Sequence, residues 1–217
     1  MTKRVEKQLN SFKYKGEPVR ITIGTLVLTC LCILFLIVAT FTQITVTHPY
    51  IPLASIGTDD FIALTKTYKY IPQIPMIFFI TALLGRKFGI LAISGYIILG
   101  MFFPIFALGG GITYLFEYGF GYILAFIPVI FFAGTLLKVK HDFLRIILIS
   151  ILGVAAIHVL GVLYMLFVAT LRHAPMDLVS SWISSQSGVQ IIYDIFFTVF
   201  AIYLGRFMRR VLWIVMC

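Results

Sequence analysis

Between Ile21 and Phe207 the chain is a succession of apolar runs, most of them near 20 residues long, divided by short polar intervals. A bilayer demands runs of that length, because about 20 residues at about 1.5 Å each cross a hydrocarbon core about 30 Å thick. Hydrophobic residues make up 61% of the 217 and charged residues 12%, and mean hydropathy is +1.06. Soluble domains sit near 45–50% and about 25%. The chain has room for about six spans and their connections, and its length excludes a separate soluble catalytic domain.

The expected fold is an all-α membrane protein, a compact bundle of six transmembrane helices with both termini cytoplasmic. Residues 1–20 form a basic cytoplasmic tail, and residues 21–217 a single integral membrane domain. The first apolar run, Ile21–Ile44, is too long for a signal-peptide core and lacks a small-x-small cleavage site, so it reads as a retained helix. A polar interval, Thr45–Tyr70, holds Pro49, Pro52, Gly57 and the Asp59-Asp60 pair, and is long enough to act as a lid or binding loop. Helix 2 covers Pro72–Gly85 and stops at Arg86-Lys87. Helix 3 covers Phe88–Phe106, helix 4 Gly119–Leu137 and helix 5 Phe143–Leu171. A loop over Arg172–Ser187 leads to helix 6, Gly188–Phe207.

The formal charge of +9 does not indicate nucleic acid, because the basic residues flank apolar runs instead of lining a soluble face. With the N-terminus inside, fourteen of the seventeen Lys and Arg fall on the cytoplasmic side. Only Lys66, Lys69 and Arg172 fall outside, the asymmetry that the positive-inside rule describes. The intervals 45–70, 107–118 and 172–187 then share the outer face. Cys30, Cys32 and Cys217 are too few and too scattered for a disulfide framework, and the first two suit packing inside helix 1.

The stretch Pro104-Ile-Phe-Ala-Leu-Gly-Gly-Gly-Ile-Thr-Tyr-Leu-Phe-Glu-Tyr-Gly-Phe-Gly-Tyr122 interrupts the apolar sequence. Irregular backbone cannot face lipid, since its peptide groups would go unpaired; it must be buried in protein or line a wet cavity. Gly109, Gly110 and Gly111 imply a tight turn and lack the Gly-Lys-Ser/Thr ending of a phosphate loop. Tyr114, Phe116, Tyr118, Phe120 and Tyr122 suit either stacking on a flat solute or an interfacial aromatic belt. Glu117 either contacts a polar ligand group or caps helix 4.

Asp194, in Gln190-Ile-Ile-Tyr-Asp194, lies inside helix 6, where an unpaired charge costs about 2.5–3.5 kcal/mol on insertion scales. It is either an acceptor for a ligand N–H, with Gln190 and Tyr193 beside it, or a carboxylate favoured by the helix dipole. His158 is expected to make an inter-helix hydrogen bond in preference to relaying protons. No metal constellation is present, His-Glu-x-x-His is absent, and no Ser/His/Asp set is expected to meet in the membrane. The chain reads as a protein that is not an enzyme and needs no cofactor.

Several motifs in order carry a family resemblance: Ile71-Pro-Gln-Ile-Pro, Ala82-Leu-Leu-Gly-Arg86-Lys-Phe-Gly89, Tyr96-Ile-Ile-Leu-Gly100, Pro104-Ile-Phe-Ala107-Leu-Gly-Gly-Gly111 and Gly121-Tyr-Ile-Leu-Ala-Phe126. Together they resemble the BioY family, the biotin-specific substrate-binding subunits of energy-coupling-factor transporters. The match is strongest over 71–137. The resemblance implies six helices in the bacterial cytoplasmic membrane, with biotin held near the outer face by helices 4–6 and the loops before helices 2, 4 and 6. It also implies an EcfT-like membrane coupling subunit and two cytoplasmic ABC ATPases as partners, with some relatives acting alone. The implied contacts are Asp194 to a ureido N–H, Gly109–Gly111 through backbone N–H groups, and the aromatics of 114–122 over the ring system. Three departures stand out. The family's acid-x-x-Lys pattern has Phe197 after Asp194, its Gly-Pro-Thr-Gly-Gly-Tyr appears as Glu117-Tyr-Gly-Phe-Gly-Tyr122, and helix 1 offers only Thr25-x-x-x-Thr29 as a small-residue pair. Another small vitamin or precursor is therefore the alternative ligand, and a scaffold without solute the alternative role.

Overall fold

A computed structural model describes residues 21–49, 65–138 and 142–212. The predicted basic tail and the Asp59-Asp60 pair lie outside those residues. The elements run α1 (Ile23–Phe41), β1 (Ile44–Pro49), β2 (Thr65–Tyr70), α2 (Gln73–Phe102), a 3₁₀ turn (Ile112–Phe116), α3 (Phe120–Leu136), α4 (Phe143–Leu171), α5 (Met176–Ser187) and α6 (Gln190–Val211). Four helical runs among the described residues are long and apolar enough to cross a membrane: Ile23–Phe41, Gln73–Phe102, Phe143–Leu171 and Met176–Val211. α3 is a shorter apolar helix.

α1 starts at a capping box in which the Thr22 and Thr25 hydroxyls each accept the other's backbone N–H, satisfying groups a helix end leaves free. Its buried stripe is small: Thr25, Thr29, Cys32, Leu36, Ala39 and Thr40. Leu26, Phe35, Val38 and Phe41 stay exposed on the other side, as lipid-facing residues do. Of the two cysteines expected to pack, Cys32 is in the core and Cys30 is exposed.

α2 is two helices joined at Gly85, where φ is 77° and ψ −177°. Only glycine takes that conformation readily, so the boundary expected between helices 2 and 3 stands. The second half stops at Phe102, short of the expected Phe106, because Pro104 follows. α2 is the centre of the bundle, packing on α1, α3 and α6, while α4 packs on α3 and α6. Gly205 of α6 lies against the Phe79 carbonyl and Ala82 of α2, a close backbone approach of the kind small residues permit between membrane helices.

Two expectations change. The interval 45–70 was expected to be irregular, but its ends pair as antiparallel strands from Ile44 opposite Tyr70 to Pro49 opposite Thr65. The alternating, β-branched Ile-Thr-Val-Thr and Thr-Lys-Thr-Tyr segments favour that pairing. The interval 172–187, expected as a loop, contains α5. Pro175 precedes its first turn, Asp177 lies within that turn, and Val179, Trp182 and Ile183 pack toward the core at helical spacing. Its serines had disguised that period.

The triple glycine closes a tight turn against the end of α2. Phe106 and Gly109 exchange backbone hydrogen bonds of 2.8 and 3.0 Å, and Gly111 N–H donates to Gly100 O at 2.9 Å. Gly109 and Gly111 have φ of 124° and 92°, and Gly110 sits against the Gly100 and Phe103 carbonyls, where a Cβ would clash. Part of this irregular backbone is thus satisfied locally, by the turn itself and by α2.

Candidate functional site

Asp194 has no solvent exposure. Leaving its charge unmet would be expensive, and three side chains meet it. Tyr70 donates its hydroxyl to Oδ1 at 3.0 Å, His158 Nε2 lies 3.3 Å from Oδ2, and Gln190, one turn earlier on α6, is within hydrogen-bonding reach. Each bond to a carboxylate contributes about 1.5–3 kcal/mol, which offsets part of the cost of burial.

The network continues outward from Asp194. His158 Nδ1 lies 2.9 Å from Ser187 Oγ, and Ser187 Oγ lies 2.7 Å from the Tyr122 hydroxyl. Tyr122 also sets its ring edge-on to the His158 imidazole, with centroids 5.7 Å apart, in the space Gly161 leaves on α4. Five elements therefore converge: the end of β2, α3, α4, the end of α5 and the second turn of α6. The inter-helix hydrogen bond expected of His158 is present.

The expectation that no Ser/His/Asp set meets in the membrane is overturned, since Ser187, His158 and Asp194 form one. The reason is α5, which carries Ser187 back over α4; with 172–187 read as loop, that return was hidden. Tyr70 was also missed, although it stands at the junction into Ile71-Pro72. Thr198, one turn beyond Asp194 on the same face, is buried, and its hydroxyl has no hydrogen-bond partner among the described residues.

Phe197, at the position of the expected lysine, stacks on Tyr70 with centroids 5.3 Å apart. Tyr193 tilts against the same ring at 5.9 Å. The Asp194 region is thus walled by aromatics, and Phe197 brings no cation to it.

The other candidate residues lie in a neighbouring layer. Tyr114 is buried against Phe106 and Phe120, and burial pushes its hydroxyl up to about 12, so it stays neutral. Tyr164 donates to the Leu115 carbonyl, tying α4 to the 3₁₀ turn. Glu117 does not cap α3, whose N-cap, Gly119, makes no side-chain cap bond; it pairs with Arg172 at 3.5 Å. Arg172 also lies over the Tyr118 ring at 5.6 Å, and Tyr118 meets Trp182 of α5 edge-on at 5.8 Å. α5 thus links the two groups, through Trp182 on Tyr118 and Ser187 on Tyr122. Gly109, Gly110 and Gly111 belong to the turn before the 3₁₀ helix, and their described bonds and close approaches run to the end of α2, to Phe103, Pro104 and Phe106 and to Tyr114, not to Asp194.

Comparison with known proteins bears on this arrangement. The model of the BioY family matches residues 11–213. The biotin transporter BioY of Thermotoga maritima is 34% identical over 97 residues, 44% of this chain and 57% of that protein, so the chain matches little more than half of that relative's length. Among solved structures, the S-component for biotin from an ECF-type ABC transporter superposes with a TM-score of 0.61. That match covers 97% of this chain and 95% of the other at 19% identity, a likeness of fold.

Proposed function

The chain belongs to the BioY family, and from that premise we propose that it captures biotin outside the cell and serves its uptake as the substrate-binding subunit of an ECF-type transporter. On this reading it is a six-span protein of the bacterial cytoplasmic membrane with both termini inside, counting the halves of α2 on either side of Gly85 as two spans. α5 lies at the outer face as a cover. An EcfT-like coupling subunit and two cytoplasmic ABC ATPases would drive release. Biotin is the cargo, and neither a cofactor nor a chemical reaction is called for.

The observation that supports this reading best is the placement of Asp194. An ionised carboxylate offers about four acceptor sites. Tyr70, His158 and Gln190 account for three, leaving one for a ureido N–H. Gln190 can turn its amide to the ureido carbonyl, and Tyr193 and Tyr122 can flank the bicyclic ring. Tyr114, Glu117, Tyr118 and the Gly109–Gly111 turn would form the neighbouring wall, on the side from which α5 closes.

The test is equilibrium binding of biotin to the purified full chain in detergent, with mass spectrometry of small molecules that co-purify. Wild type should retain biotin, and Asp194→Ala should weaken it at least about tenfold, a loss of about 1.4 kcal/mol that lies within the about 1–3 kcal/mol of an unmade buried bond. Unchanged affinity would remove Asp194 from the site. The aromatic Phe197 in place of the family's lysine favours one second reading, a different small vitamin or precursor. Competition with desthiobiotin, thiamine and riboflavin separates the two.

A further inference from the structure

We propose that the site takes up one proton with each biotin it captures, held on the His158–Asp194 pair, so that capture strengthens as external pH falls. This rests on the biotin reading above.

Tyr122, Ser187, His158, Asp194 and Tyr70 form one unbroken chain of hydrogen-bonding groups, with successive separations of 2.7, 2.9, 3.3 and 3.0 Å. With a neutral imidazole every group is satisfied. Tyr122 O–H donates to Ser187, Ser187 O–H to His158 Nδ1, His158 Nε2–H to Asp194 Oδ2, and Tyr70 O–H to Asp194 Oδ1. Adding a proton at Nδ1 breaks none of these contacts. Nδ1–H then donates to Ser187, whose hydroxyl turns to donate to Tyr122. Hydroxyls both donate and accept, so the proton enters through the rotation of two O–H groups, with no backbone movement. The chain runs from deeply buried Asp194 to Ser187, which is only partly buried and lies next to exposed Gly188 at the α5–α6 junction.

The local charges give such a proton a reason to bind. Among the described residues, the groups facing His158 are Tyr122 from α3, Ser187 from α5, Asp194 from α6 and, beyond Asp194, Gln190 and Tyr70; Tyr193 turns to Tyr70. Of these, Asp194 alone carries a carboxyl group. Among the described residues, no cation pairs with it besides His158. Lys69, the neighbour of Tyr70 on β2, is exposed and points to the strand's other face. Arg172 is exposed and committed to Glu117. Arg209 lies fifteen positions further along α6, roughly 22 Å away at 1.5 Å per residue. Biotin carries a carboxylate and so adds negative charge to a site that already holds the buried Asp194 carboxyl group. Like charges in low dielectric repel strongly. A proton shared by the His158–Asp194 pair, 3.3 Å apart, relieves that repulsion.

The test uses the purified full chain. Biotin is titrated calorimetrically near pH 7 in two buffers of different ionisation enthalpy, and its Kd is measured from about pH 5.5 to about 8.5. The expected result is uptake approaching one proton per biotin, with affinity falling by up to about tenfold per pH unit toward the alkaline end. The sign follows from linkage: the state that holds more protons, here the bound one, is favoured by acid. His158→Gln should bind biotin more weakly, with a flat pH profile and no proton uptake. The wild-type proton count stands on its own if that variant fails to fold. Biotin binding without proton exchange, or a wild-type pH profile in His158→Gln, overturns the proposal alone. Failure to bind biotin at any pH sinks the biotin reading, and this proposal with it.

Discussion

The Tyr70 hydroxyl meets Asp194 Oδ1 at 3.0 Å although 124 positions separate the two residues. Tyr70 is the last residue of the β1–β2 hairpin and Asp194 lies in the second turn of α6, so this bond fastens the hairpin to the helix that carries the buried charge. Removing the hydroxyl while keeping the ring isolates that function. Tyr70→Phe preserves the stack on Phe197 and should weaken biotin binding about three- to tenfold, the cost of roughly one hydrogen bond near 1 kcal/mol. Tyr70→Ala should lose both contacts and lower the thermal midpoint as well. Calorimetric titration and a melting curve in detergent check the pair, and equal effects of the two substitutions would deny the hydroxyl a role.

The break at Gly85 is the second point of control. With φ 77° and ψ −177°, a residue bearing a Cβ is strained there by about 1–3 kcal/mol, and the Arg209 guanidinium closes the adjoining space. Gly85→Ala should lower the thermal midpoint in detergent. Gly95→Ala is the control, since its added methyl would meet only the end of the Ile33 side chain. If the two variants melt together, the backbone conformation at Gly85 is not what divides α2.

These two sites mark what local sequence can and cannot reveal. α4 has the expected limits, Phe143–Leu171, and α3 falls within one residue of them at each end, because each apolar run is closed by glycines or basic residues. Gly85 announced its boundary because Arg86-Lys87 follows a glycine. Asp194 was visible as a lone carboxylate in an apolar helix. Its partners were not, because Tyr70, His158 and Ser187 come together only through the hairpin and through α5. The hairpin pairs strands separated by residues 50–64, and α5 hides three core-facing apolar residues among serines and a glutamine. Pairing of that kind depends on the return path of the chain, which no local period records.

Glu117 and Arg172 offer a clean probe of the outer layer. Both side chains are about two-fifths exposed, so their ion pair should contribute no more than about 1 kcal/mol and should weaken in salt. Glu117→Gln is expected to leave the melting temperature within about 2 °C of wild type, the shift expected for a few tenths of a kcal/mol in a domain of this size. Any loss of biotin affinity in that variant then reports a direct ligand contact. Unchanged affinity would confine Glu117 to the surface pair with Arg172.

Phe197 supplies the last test, because it stands three residues beyond Asp194, where the family pattern places lysine. Its ring is about one-third exposed and covers Tyr70, so a lysine there can lay its methylene stem over the same surface while its ammonium reaches polar neighbours. Phe197→Lys would bring a cation that stays charged well above neutral pH within one helical turn of the Asp194 carboxylate. That charge would do what a proton on His158 is proposed to do, and would do it at every physiological pH. The variant should bind biotin with a profile that is nearly flat between about pH 6 and 8, while wild type weakens across that range. Proton uptake measured by calorimetry should fall in parallel toward zero. If Phe197→Lys binds biotin with the wild-type dependence on pH, the charge balance around Asp194 is not set by its immediate neighbours.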